Sequence, residues 1–357
     1  MSYQDFIARK LTTQPPTGIS VPDCLNLSSL FPHQEALTRW SAKRGRSAIF
    51  ADTGLGKTRM ELTWASMVNA ATGHDMLILA PLAVAAQTVR EGAAIGIPVN
   101  LMREDADFRP GINIANYERL HKLEPSRFGG VVLDESSIIK HHTSKTLAQL
   151  LDAFRATPFK LCATATPAPN DWTELGTHAE FLGICTQSEM LSEFFVHDGG
   201  DTQTWRLKGH ARHLFWKWVS SWGAMVRKPS DLGFSDAGYD LPPLNMHENL
   251  CESSAEALPG HLFALEANTL SERRDARRAS LSDRVARAAA MVNESNRPWL
   301  VWCDLNAESE ALTRAIPGAV EVKGSDDTDH KESALSGFQD GLFRVLVSKP
   351  SICGFGL

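Results

Sequence analysis

The residues best suited to chemistry are Ala51-Asp52-Thr53-Gly54-Leu55-Gly56-Lys57-Thr58, which follow the apolar run Ser47-Ala48-Ile49-Phe50 and precede a helical pattern over 59–69. Strand, glycine loop and helix in that order make a phosphate site. Gly54 and Gly56 let backbone N–H groups turn inward around a polyphosphate, with Thr53 and Leu55 completing the loop. Lys57 can reach the outer phosphates, and the Thr58 hydroxyl can ligate Mg2+. The helix that starts here aims its positive end at the same anion. Ala51 stands where the usual motif begins with glycine, so an ordinary glycine turn before a helix remains the alternative on this stretch alone.

Two other groups extend the chemistry. Gly129-Gly130-Val131-Val132-Leu133 runs into Asp134-Glu135-Ser136-Ser137, a carboxylate pair at the end of a buried strand, where open α/β sheets place their ligands. Asp134 suits Mg2+, directly or through water, and Glu135 suits orienting or deprotonating an attacking water. A capped turn is the alternative, because Asp and Ser both favour helix starts. Upstream, Gln34 presents a donor and an acceptor on one amide, which matches the edge of adenine. A solvated or capping glutamine is its plainer reading.

The elements needed to position these groups are legible as periodicity. Phe31-Pro32-His33-Gln34 starts a helix with Ala36, Leu37 and Trp40 at helical spacing, ending near Gly45. Short apolar runs at 76–80, 99–102, 112–115, 131–133 and 159–163 alternate with helical stretches, among them 83–92. That alternation predicts a doubly wound α/β sheet. Before it, a helix over 3–11 and breakers at Pro15-Pro16, Gly18 and Pro22 read as an arm over 1–30.

Phe159-Lys160-Leu161-Cys162-Ala163 empties into Thr164-Ala165-Thr166-Pro167-Ala168-Pro169-Asn170, with Glu174-Leu175 following. Together with Gln34, the glycine loop, 80–87 and the acidic pair, this set resembles the first motor lobe of superfamily 2 helicase-like ATPases. The loop is spelled as in DEAD-box proteins, while the T-x-T-P-x-x-N segment is similar to Swi/Snf-type DNA translocases. Asp-Glu-Ser-Ser matches neither DEAD nor DEAH, so spelling does not settle the subgroup. The resemblance implies two RecA-like lobes around a cleft for ATP and Mg2+, and movement on nucleic acid, with double-stranded DNA the expected partner. It also implies that Thr164 and Thr166 couple nucleotide state to the neighbouring lobe, and that Pro81 and Gln87 lie on the nucleic-acid side. Lys57, Asp134 and Glu135 would carry hydrolysis.

The same reading divides the chain into a first lobe over 31–178, a helical segment and linker over 179–238 and a second lobe over 239–357. Within the middle segment Leu214, Trp218 and Trp222 recur at helical spacing among basic residues. That spacing favours core packing over base stacking. Further on, Ser271 to Arg287 reads as one helix with six arginines against three acids. Arg273, Arg274, Arg277 and Arg278 are either a solvated face or a DNA-phosphate contact. The chain stops ten residues after the strand at 343–347, before the arginine-rich motif of the resembled family. The expectation is a truncated motor that binds ATP, hydrolyses it poorly and has an incomplete second lobe.

Composition bounds these readings. With 357 residues, a net charge of −6 and 43% hydrophobic residues, two cores fit, and any surface for nucleic acid must be locally basic. Six scattered cysteines without a C-x-x-C pair argue against a disulfide framework or structural zinc, and no signal or membrane segment is visible. A cytoplasmic protein is expected. Two other classes stay open: a phosphate-loop enzyme acting on a small molecule, and a non-catalytic or partner-dependent ATP- or DNA-binding fragment.

Overall fold

The computed structural model describes residues 13–22, 27–82, 84–198, 201–239, 243–251 and 269–354. The helix expected over 3–11, and Ala83 at the start of another, lie outside them. The chain divides into two units, Met1–Leu241 and Pro242–Leu357.

In the first unit, α1 (Pro32–Arg44) begins with proline in its first turn and ends at Gly45, whose φ of 74° few other residues would tolerate. It leads into β1 (Arg46–Ala51), then the glycine loop and α2 (Lys57–Thr72), whose first turn therefore includes Lys57 and Thr58. Next come β2 (Asp75–Ala80), α3 (Ala85–Ala94), β3 (Val99–Leu101) and β4 (Ile112–Asn116). The acidic pair follows β5 (Phe128–Asp134), and α4 (Lys145–Ala153) leads to β6 (Phe159–Ala163).

These strands form one sheet with the order β3-β4-β2-β5-β6-β1 and a seventh strand, β9 (Gly223–Val226), beyond β1. All its pairings are parallel. Parallel strands covered on both faces read as unbroken apolar runs, and β5 is buried along its whole length. Its Phe128, Val131 and Leu133 join Phe154, Phe181, Phe215 and Trp222 in one core. α2, with Met60, Leu62 and Trp64 fully buried, packs against β5 and β6.

The middle of the chain departs from the expected helical linker. After α5 (Leu175–Leu182) and α6 (Gln187–Phe194), the chain forms an antiparallel hairpin, β7 (Phe195–Asp198) with β8 (Asp201–Leu207), before α7 (Arg212–Val219) and β9. Because β9 pairs with β1 through Ala48↔Gly223 to Ala51↔Val226, the first unit extends past residue 178 to Leu241. A four-residue strand with few alternating positions carries too little pattern to announce itself. Phe215 and Trp222 are fully buried, and Trp218 packs edge-on against Trp222 at 5.3 Å, so the aromatic spacing serves the core.

In the second unit the expected single arginine helix is two, α8 (Leu270–Ala279) and α9 (Leu281–Asn293), broken at Ser280. There follow β10 (Trp299–Trp302), α10 (Asn306–Ala315), β11 (Ala319–Val322), α11 (Thr328–Gln339) and β12 (Val345–Ser348). Parallel pairing gives the order β10-β12-β11. Val345 and Val347 of the central strand are fully buried with Ile316, Leu312 and Val292. Both units are thus α/β, as expected. The described residues contain no helix long and apolar enough to cross a membrane, and none of their five cysteines forms a disulfide.

Candidate nucleotide site

The glycine loop, the acidic pair and Thr164 each leave the carboxyl end of a parallel strand. β5, β6 and β1 are consecutive in the sheet, so the acidic pair, Thr164 and the glycine loop emerge side by side. Neighbouring strands lie about 4.8 Å apart, which puts the loop about 10 Å from the acidic pair at strand level, within reach of long side chains from both.

In the loop, Gly54 and Gly56 have φ of 84° and 79°, a region that a residue with a Cβ avoids. A Cβ on Gly54 would meet nothing within 4 Å, whereas one on Gly56 would lie 2.3 Å from the Gln34 amide nitrogen. The first glycine is there for its conformation, the second also for the approach of Gln34. The buried Gln34 clamps the loop: its Nε2 donates to the Leu55 carbonyl at 3.0 Å, and its Oε1 accepts from the Phe31 N–H at 3.0 Å. One amide hydrogen and one lone pair are left over. Thr53 N–H donates to the Asp52 carboxylate at 2.7 Å, and Lys57 Nζ donates to the Ala51 carbonyl at 3.2 Å, which holds the amine beside the loop. Thr58 is half-buried in the first turn of α2.

Beside Gln34 and both glycines opens a pocket of about 660 Å³, lined also by Phe31, Arg59 and Tyr239. Tyr239 meets the Phe31 ring edge-on at 6.1 Å and the His33 ring at 5.0 Å. No local pattern marks Tyr239, which reaches the loop only because the chain after β9 returns to it.

Asp134 is buried, and burial followed by the neighbouring Glu135 charge raises its pKa to about 7. Beneath it lies an acid that no motif announces. Glu61 is 1% exposed, neither of its oxygens has a donor, and burial followed by the Asp134 charge lifts its pKa well above the carboxylate range. Burial and the Asp134 charge thus both favour its protonated form. Its place four residues after Lys57, between the apolar Met60 and Leu62, was the available signal, since i and i+4 share a face. The Lys57 charge opposes the upward shift of both acids.

Glu135 is half-buried and accepts from the Thr164 hydroxyl at 3.1 Å; that hydroxyl in turn accepts from the Thr166 N–H at 3.1 Å. Of the two threonines expected to couple nucleotide state, Thr164 bonds the acidic pair through its side chain, and Thr166 reaches Thr164 through its backbone N–H. Pro81 follows β2 at the same end of the sheet, and Gln87 is exposed on α3, bonded to Glu91 at 3.0 Å. In the second unit Arg273, Arg274, Arg277 and Arg278 are all exposed; Arg277 pairs with Asp304, and Arg278 with Asp275 at 3.3 Å. Exposed pairs of this kind are weak and give way readily to a phosphate.

The residues present fit a polyphosphate with Mg2+. The Gly54 side of the loop is open, the α2 N-terminus supplies N–H groups, and the Lys57 charge acts on the buried Asp134. Among the described residues no three His, Cys, Asp or Glu side chains gather as a metal cage, so Mg2+ here would be shared with phosphate oxygens.

The Glu61–Asp134 pair makes stability depend on pH. A carboxyl raised from 3.8 to about 7 holds its proton in the folded state after the unfolded chain has released it. The stability that the protonated pair contributes is whole below about pH 4 and lost as pH rises through about 7. Glu61→Gln keeps a donor toward Asp134 without a titrating proton. In chelator, this variant is expected to melt roughly 2–4 °C above wild type at pH 8, the shift of about 1 kcal/mol in a unit of this size, and to lose that advantage at pH 4.5. A constant difference across this range would show that the pair does not share a proton.

No family model matches this chain, and no curated protein matches it. Solved structures do. The chain is similar to the Sulfolobus solfataricus SWI2/SNF2 ATPase core in complex with dsDNA, with 16% identity, 95% of this chain and 80% of that one covered and a TM-score of 0.46. It is similar to the SWI2/SNF2 ATPase core domain of the same organism at 14% identity, with 95% and 81% covered and a TM-score of 0.47. The UvsW helicase from bacteriophage T4 follows at 12% identity, with 52% and 66% covered and a TM-score of 0.38.

Proposed function

We propose that this chain is an ATP-dependent nucleic-acid motor of helicase or translocase type, which hydrolyses ATP with Mg2+ and moves on double-stranded DNA. The observation that carries this reading is the convergence of Lys57 and Thr58, the Asp134-Glu135 pair and Thr164 at the ends of three adjacent parallel strands. A phosphate loop alone serves many enzymes; a threonine from the next strand hydrogen-bonded to the hydrolytic carboxylate is what a coupled machine needs.

In this reading the loop N–H groups and Lys57 hold the β- and γ-phosphates. The adenine enters the pocket of Phe31, Gln34 and Tyr239, where Gln34 offers its remaining donor and acceptor. Thr58 and Asp134 hold Mg2+, which when bound neutralises charge developing on the transferred phosphoryl. Glu135 orients and deprotonates the attacking water, and Thr164 reports its state to the Thr166 segment.

ATP turnover measured at fixed salt with duplex DNA, single-stranded DNA, RNA or no polymer tests the proposal. Stimulation by duplex DNA supports it, whereas turnover indifferent to every polymer overturns the motor and leaves a small-molecule enzyme. DNA binding without any turnover leaves a binding fragment.

The DNA-contacting role proposed for α8 has its own check. Neutralising Arg273, Arg274, Arg277 and Arg278 together is expected to weaken binding equally across sequences and to flatten the salt dependence by about 0.9 in log–log slope for each phosphate no longer neutralised. An unchanged slope returns the helix to solvated surface.

A further inference from the structure

Glu135 has φ 49° and ψ 51°, the one left-handed non-glycine conformation among the described residues. A residue with a Cβ takes it up only where its surroundings hold it there. Three hydrogen bonds surround this turn. The Tyr117 hydroxyl donates to the Asp134 carbonyl at 2.7 Å, the Ile138 N–H donates to the Glu135 carbonyl at 3.2 Å, and the Ser136 hydroxyl lies 3.2 Å from His178 Nε2.

His178 belongs to α5 and is wholly buried, edge-on to the Phe50 ring at 5.3 Å. Its Nδ1 faces the Glu174 carbonyl at 3.4 Å while its Nε2 meets the Ser136 hydroxyl, so the ring joins these two residues through its two nitrogens. Burial lowers its pKa to about 4, which keeps the ring neutral near pH 7. The Glu174 carboxylate in turn accepts from the Asn170 N–H at 3.3 Å and from Asn170 Nδ2 at 2.7 Å. The segment from Thr164 to Asn170 thus reaches Glu135 by two routes: directly through the Thr164 hydroxyl, and around the site through Glu174, His178 and Ser136.

Building on the ATPase reading above, we propose that His178 is a positioning residue. It fixes the Ser136 turn so that the Glu135 carboxylate faces Thr164 and the attacking water, and it carries movement of the Asn170 segment to that carboxylate. A buried histidine that merely fills the core would satisfy its nitrogens anywhere; this one bonds the residue next to the strained acid.

The test uses the full chain, with ATP turnover, ATP affinity and melting temperature measured separately. His178→Leu and Ser136→Ala are each expected to lower kcat about 10-fold while leaving KM for ATP within about 2-fold, because a displaced base costs turnover rather than binding. The double variant is expected to be no worse than either single one, since both remove one interaction. His178→Gln, which still presents a hydrogen-bonding group to Ser136, is expected to recover most of the lost turnover. If His178→Leu does not fold, Ser136→Ala decides. Wild-type kcat in Ser136→Ala, or a loss confined to melting temperature, overturns the proposal. A wild-type chain that binds ATP and never hydrolyses it refutes the ATPase reading itself, which turnover in wild type and variants alike would not.

Discussion

Calorimetry on Lys57→Ala is expected to show ATP affinity reduced by at least about 100-fold, the loss of charge-assisted hydrogen bonds together with the cation of the phosphate cradle. Lys57 is already beside the loop, with its amine on the Ala51 carbonyl at 3.2 Å, so binding ATP requires no search by a free side chain. The substitution acts a second time through the acids beneath. Lys57 is the charge that opposes the rise of Glu61 and Asp134, and without it both become harder to ionise. Asp134 must be ionised to hold Mg2+, so the loss is expected to be larger with Mg2+ than in chelator. Equal ATP affinity for wild type and Lys57→Ala would remove the phosphate site from this loop.

Glu135→Gln is expected to separate binding from turnover: ATP affinity within a few-fold of wild type and hydrolysis slower by about 10² to 10⁴, the usual contribution of a positioned general base. The amide keeps the size of the carboxylate and can still accept from the Thr164 hydroxyl, which in the structure donates at 3.1 Å. What it lacks is the charge that draws a proton from water. Removing a carboxylate next to Asp134 also takes away a charge that raises the Asp134 pKa, so Mg2+ binding is expected to hold or to strengthen. Turnover by Glu135→Gln at the wild-type rate would assign the base elsewhere.

The placement of the glycine loop, the acidic pair and the threonine segment was legible because each lies at the end of an apolar strand. Lys57 and Thr58 are carried by the turn that Gly54 and Gly56 permit, and Asp134 and Glu135 by a strand buried along its whole length. Apolar strands and left-handed glycines are local properties, set by side-chain size and backbone sterics within a few residues. The parallel α/β alternation followed from the same signals.

What the tertiary structure decided is which distant residues complete the site. Glu61 under Asp134, Tyr239 beside Phe31 and His178 behind Ser136 are brought in by packing across the sheet, and nothing in the sequence near any of the three names its partner. The pairing of β9 with β1, which carries the first unit past residue 178, has the same origin. A short strand is chosen by the open edge that accepts it rather than by its own pattern. Burial did the rest. Glu61 would be an ordinary surface acid on an exposed helix, and it is burial beside Asp134 that shifts it toward its protonated form.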